Sequence, residues 1–189
     1  LVQYRAEMKL ADADIAEWAR DQQIGGKERL RGKSNGELKL SGRGTQATQL
    51  RGEGWLDATP AELYELPVMA QMLSMLRLKQ PGDSAFNYGY CEFELREGLV
   101  DFSRIKLSGD VLILAGIGHI GFAGPRQGQL QFDFYSQMDN QFALFQPVVD
   151  LVGNKWIRVQ VQGTLNNPTA VVMPRIGPLD TALGGLIRT

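Results

Sequence analysis

The sequence predicts an α+β fold that is mostly β: a curved antiparallel sheet of about eight or nine strands, with two to four short helices packed on or capping its concave face. Three observations predict it. Blocks that alternate apolar and polar residues and then stop at glycine recur as Leu38–Gly42 (L-K-L-S-G), Ile105–Gly109 (I-K-L-S-G) and Val159–Gly163 (V-Q-V-Q-G). Alternation closed by glycine marks a half-buried strand entering a turn. Most alternating segments are joined by short stretches rich in Gly, Pro and Asn, which suits antiparallel neighbours rather than strand–helix–strand crossovers. The helical patterns are short and bounded by caps and prolines. The glycine-ended copies are expected to mark the edges of the sheet, and their unequal spacing argues against a regular solenoid.

The elements follow in order. Val2, Tyr4, Ala6, Met8 and Leu10 share one face of a first strand; Gln3, Arg5, Glu7 and Lys9 share the other. Asp14, with Glu17 three residues on, is a capping pair that opens a helix ended by Gly25-Gly26. Glu37–Ser41 and Gln49–Asp57 read as a hairpin around the polar connection Gly42–Thr48. Thr59-Pro60-Ala61-Glu62 starts a short helix over 60–65, and Pro67 ends it and starts a second. Gln80-Pro81-Gly82-Asp83 marks a turn.

Cys91, Phe93 and Leu95 then alternate with Glu92, Glu94 and Arg96, and Gly98 turns the chain. Leu99–Phe102, Arg104–Leu107, Val111–Gly116 and His119–Phe122 continue as short strands. After the turn Gly124–Gly128, Leu130, Phe132 and Phe134 give the clearest alternation, within Gln129–Tyr135. Phe142–Val152 reads as an apolar helix, Trp156–Gln162 and Ala170–Met173 as strands, and Pro178–Ile187 as a short helix weakened by Gly184-Gly185.

Composition narrows the function classes. The 189 residues suit a single domain, with an ordinary 43% apolar and 22% charged content. A net charge of −1 with no basic stripe excludes a typical nucleic-acid binder. The basic run Lys27–Lys33 reads as a solvated connection. The longest unbroken apolar run, Val111–Ala115, is far too short for a helix that crosses a bilayer. Beginning at Leu1, the chain is expected to be a piece of a longer protein.

The residues that carry chemistry are sparse. His119 is the only histidine, so a histidine-based triad or a multi-histidine zinc site is unavailable. Cys91, the only cysteine, alternates with Phe93 and Leu95 and reads as a packed thiol. Gly42–Gly44, Gly52–Gly54 and Gly116–Gly118 do not continue into a phosphate-binding glycine loop before a helix, and read as bulges or bends of a curved sheet. The carboxylates show no calcium-loop spacing. No catalytic, metal or cofactor residue is expected, and the chain reads as non-enzymatic. Met69, Met72 and Met75 sit together on the second helix, as packing residues or as an adaptable apolar surface.

Taken in order, the motifs resemble a known family. Gly36–Gly42 is followed by Leu50-Arg-Gly-Glu-Gly-Trp-Leu-Asp57, the Leu66-Pro67 helix, Phe93 and Gly98, Ile105–Asp110, Gly116-Ile-Gly-His-Ile120 and Val161-Gln-Gly-Thr-Leu-Asn-Asn-Pro168. Over residues 33–175 this order resembles the C-terminal region of AsmA-like proteins, relatives of TamB and the bridge-like lipid-transfer proteins; residues 1–32 suit the end of a preceding repeat. The resemblance implies a periplasmic, β-rich body with an apolar groove, in a parent anchored in the inner membrane of a Gram-negative-type bacterium. It implies phospholipid transport between the inner and outer membranes and a part in outer-membrane integrity. The implied partners are phospholipid acyl chains and an envelope protein, with membrane contact through other parts of the parent; nucleic acid is not among them. Candidate groove or cap contacts are Leu66, Met69, Met72, Leu73, Leu76, Phe93, Leu130, Phe132, Phe134, Phe145 and Val148. The alternative is a capping or adaptor domain that closes the groove and docks a protein without holding lipid.

Overall fold

A computed structural model describes residues 2–14, 17, 32–59, 87–109, 113–137, 156–164 and 167–174. They form one curved, open, antiparallel sheet of nine strands in strictly sequential order. The strands are β1 (Gln3–Asp14), β2 (Lys33–Arg43), β3 (Arg51–Thr59), β4 (Tyr88–Arg96), β5 (Leu99–Ser108), β6 (Ile113–Gly121), β7 (Gln129–Gln137), β8 (Trp156–Thr164) and β9 (Pro168–Pro174).

The mostly-β expectation holds; the helical part is visible only at its start. Glu17 is helical, and its amide donates to Asp14 Oδ1 at 3.3 Å, the N-cap bond the capping pair predicts. Otherwise the helical elements among the described residues are two 3-10 turns, Ala47–Gln49 and Gly124–Arg126. The helices expected over 60–65, from Pro67, over 142–152 and over 178–187 lie outside the described residues, as does their packing on the concave face.

The glycine-ended copies are not sheet edges. They fall on β2, β5 and β8, all interior, while β1 and β9 border the described sheet. Their glycines mark strand exits: Gly42 and Gly163 at one rim, Gly109 at the other. The rims differ. At one, 44–50, 97–98, 122–128 and 165–167 close hairpins; at the other, 15–32, 60–87, 109–112 and 138–155 connect the strands. Turns at the hairpin rim brace one another, since the amides of Phe122 and Ala123 donate to the Gly98 carbonyl at 2.8 and 3.1 Å.

Two bulges explain where the alternation fails. On β5 the register shifts between Phe102 and Ile105, so Ser103 and Arg104 together face a single β6 residue. The extra residue puts Phe102 and Ile105 on the same face, and the segments read as Leu99–Phe102 and Arg104–Leu107 are one strand. On β1 the shift lies between Leu10 and Ala13. There Asp12 takes a left-handed φ of 52°, its amide donates to Asn35 Oδ1 at 3.0 Å, and its carbonyl accepts from Lys33 Nζ at 3.2 Å. By contrast Gly52 and Gly54 sit in unbroken ladder on both sides, so they are not bulges, whereas Gly116 and Gly118 pair without a break to β7 but flank the β5 bulge on their other side.

Candidate functional site: the apolar face

The pairing register gathers three continuous apolar rows onto one side of the sheet. One cross-strand row runs Met8, Leu38, Gly54, Phe93, Phe102, Gly118, Phe132, Val161, Ala170, from β1 to β9 without a polar residue. A second row runs from Leu10 through Leu56, Cys91, Ile105 and Phe134 to Val172, and a third from Ala6 through Leu40, Leu95, Val100 and Leu130 to Pro168; each is equally free of polar residues. Strands lie about 4.8 Å apart, so these rows form a lane on the order of 38 Å long, running across the strands.

Glycine and aromatic rings shape this lane. Gly42, Gly54, Gly116 and Gly118 lie beneath Tyr4, Phe93, Phe134 and Phe132 of neighbouring strands. A Cβ at Gly116 would stand 2.6 Å from Phe134 Cδ1, and one at Gly54 would stand 2.8 Å from Phe93 Cζ. Without a side chain at these positions, each ring lies down over its neighbour's backbone. Phe93, Phe102, Phe132 and Phe134 then follow one another with centroids 5.9, 5.6 and 5.7 Å apart.

The lane is unevenly covered. Toward β9, Leu114, Val159 and Val161 are 1%, 1% and 0% exposed. Toward β1, Tyr4, Met8, Leu10 and Leu56 are 40, 47, 43 and 39% exposed. Of the expected groove contacts, Leu130, Phe132 and Phe134 are buried on this face and Phe93 is half-buried on it. Leu66, Met69, Met72, Leu73, Leu76, Phe145 and Val148 lie outside the described residues. The residues of the open part of the lane are not among the expected groove contacts, although the alternation of Tyr4, Met8 and Leu10 carries their signal.

The opposite face is mixed: Trp55 stacks on Tyr90, Leu99, Ala115 and Tyr135 are buried, Ile113 and Val171 are exposed, and ion pairs lie among them. Arg96 Nε bonds Asp101 Oδ2 at 2.7 Å, Arg104 Nη1 bonds Glu92 Oε1 at 3.3 Å, and Arg158 Nη2 bonds Asp133 Oδ1 at 2.9 Å. His119 stands on this face, across from Asp101 and Gln131. Cys91 stands on the apolar face between Leu56 and Ile105, and burial pushes its thiol up to about 11. A thiol so shifted stays protonated near neutral pH, which suits packing rather than nucleophilic attack. Ser34, the buried polar residue of this region, donates to the Asp57 carbonyl at 2.6 Å. Among the described residues, no group of three or more His, Cys, Asp and Glu side chains is placed to hold a metal ion. None of their helices is long and apolar enough to cross a membrane. No family model, curated protein or solved structure matches the chain.

Proposed function

We propose that this domain is a non-enzymatic lipid-handling element whose apolar lane receives phospholipid acyl chains. The observation that carries the reading is the set of three apolar rows, uninterrupted over nine strands and open to solvent at the β1–β3 end. Contiguous exposed apolar surface is costly for a soluble fold and marks interaction sites. Acyl chains suit such a surface because each methylene removed from water contributes about 0.8 kcal/mol with no directional bonds. The likeness of the motif order to AsmA-like proteins supports a periplasmic setting, in a parent anchored in the inner membrane that moves phospholipid toward the outer membrane and sustains its integrity.

The test is uptake of a fluorescent phospholipid by the purified chain, together with native mass spectrometry. Met8→Gln, Leu10→Gln and Leu56→Gln combined should abolish uptake and leave the circular dichroism unchanged, since all three side chains are exposed. Absence of lipid binding by the wild type, or undiminished uptake by the folded variant, overturns the reading.

The burial of the lane toward β9 favours a second reading for that part alone. Leu114, Val159 and Val161 are closed to an incoming chain, which suits a capping domain that ends a groove and docks an envelope protein.

A further inference from the structure

On the face opposite the lane, at the hairpin rim of β1–β3, Arg5, Ser41 and Arg51 occupy one cross-strand row, and Gln3 and Arg43 occupy the next. With Gln49 they line a single open depression of about 870 Å³. Neutral groups hold two of the three arginines. Arg51 Nη1 donates to the carbonyls of Thr48 and Leu50 at 3.2 and 3.0 Å. Arg43 donates through Nε and Nη2 to the Gln3 amide oxygen, both at 3.1 Å, once that amide is turned to accept.

None of the three arginines belongs to an ion pair of the described residues. The nearest carboxylates in register, Glu7 and Glu53, stand across from Lys39 on either side. Lys39 bonds Glu37 at 3.3 Å, and its ammonium is pushed up first by Glu37 and then by Glu7 and Glu53. Three carboxylates thus surround Lys39, and although Glu7 and Glu53 share a neighbouring depression with Arg5 and Arg51, neither is within ion-pair distance of an arginine of the cluster.

We propose that Arg5, Arg43 and Arg51, with the Ser41 hydroxyl between the first and last, form a binding site for a phosphate-type oxyanion. Guanidinium forks donate paired N–H groups to tetrahedral oxyanions, a geometry that an ammonium does not supply. Two sources present that chemistry: a phospholipid headgroup or a free phosphate. The headgroup form rests on the lipid reading above; the oxyanion site itself does not. The rim makes the headgroup form geometrically simple. Tyr4 lies on the apolar lane between Gln3 and Arg5 in sequence, so the polar end of a lipid on the open part of the lane need only pass round the rim.

The test compares the wild type with R5Q/R43Q/R51Q in the full 189-residue chain. Three probes are used: inorganic phosphate, followed by the arginine Nε–H resonances; vesicles of phosphatidylcholine with or without phosphatidylglycerol; and a neutral fluorescent diacylglycerol. The wild type should respond to inorganic phosphate and sediment with the phosphatidylglycerol vesicles. The triple variant should lose at least about tenfold in both, as expected for removing charge-assisted contacts. Competition between phosphate and vesicles assigns the site to headgroups, whereas phosphate binding without vesicle preference assigns it to a free phosphate. A folded triple variant that binds phosphate and vesicles as the wild type does, or a wild type that binds neither, overturns the site. Diacylglycerol uptake reports on the apolar lane alone, so failure of the lane and failure of the oxyanion site are read separately.

Discussion

The rings of Phe102 and Phe132 lie 5.6 Å apart although their strands, β5 and β7, are not neighbours. The residue between them is Gly118 of β6, paired with both. Two strand spacings separate the backbones by about 9.6 Å, so the rings meet only because nothing rises from position 118.

Gly118→Ala should therefore cost about 1–3 kcal/mol, the range for forcing extra volume into a packed face. The added methyl would press on Phe132 and on the Gln131 carbonyl, one of them backbone that has no room to yield. The urea midpoint is the measurement; an unchanged midpoint would show that the rings reseat freely.

The β4–β5 hairpin closes through Glu97 and Gly98, both left-handed with φ of 52° and 79°. This is the backbone of a type I′ turn, for which Asn-Gly is the favoured pair. Glu97→Asn should raise stability by about 0.5 kcal/mol, and Gly98→Ala should lower it by more than about 1 kcal/mol. The second effect is the larger because a Cβ at 98 would also stand 2.5 Å from the Ala123 carbonyl oxygen. Thermal melts of the two variants should move in opposite directions.

The raised Cys91 thiol makes stability depend on pH. The thiol titrates at 9.0 when unperturbed and at about 11 in the fold, chiefly because burial disfavours the thiolate. Between these values the unfolded chain has lost a proton that the folded chain keeps, so stability is full below pH 9 and falls as pH rises toward 11. Tyr88 and Tyr90 are raised as well, first by burial, and add the same sign of slope above their ordinary value of 10.0. Cys91→Ala should flatten the slope in the lower part of this range and leave the tyrosine part. Thiol labelling near pH 8 should be slow in the native protein and rapid in denaturant.

Arg158 holds Asp133 Oδ1 from both Nε and Nη2, at 3.0 and 2.9 Å, and its Cζ lies 5.9 Å from the Tyr135 ring centroid. The pair is less exposed than the others on this face. A double-mutant cycle with Asp133→Asn and Arg158→Gln should give a coupling of about 1 kcal/mol, at the upper end for partly exposed ion pairs. A cycle on Arg104 and Glu92, more exposed on both sides, should give less.

Much of the strand framework was legible because alternation is local. Leu130, Phe132 and Phe134 announce β7 by themselves, and the Asp14–Glu17 cap is legible from four residues. What spans strands was not. The β5 bulge breaks the alternation at Ser103-Arg104, and only the pairing with Gly116 and Gly118 shows that the break restores Phe102 and Ile105 to one face. The pairing of Gly54 with Phe93 and of Gly118 with Phe132 depends on register between segments, which no window of sequence holds. For the same reason the arginine cluster is illegible in the sequence: Arg5, Arg43 and Arg51 come from three strands and converge only once these are in register.

The sequential strand order has an evolutionary consequence. Each strand is bonded only to the strands written before and after it, so duplicating or deleting a hairpin would lengthen or shorten the array by about 9.6 Å and leave every other pairing intact. A meander of this kind behaves as a ruler whose span is set by the number of strands written into the chain.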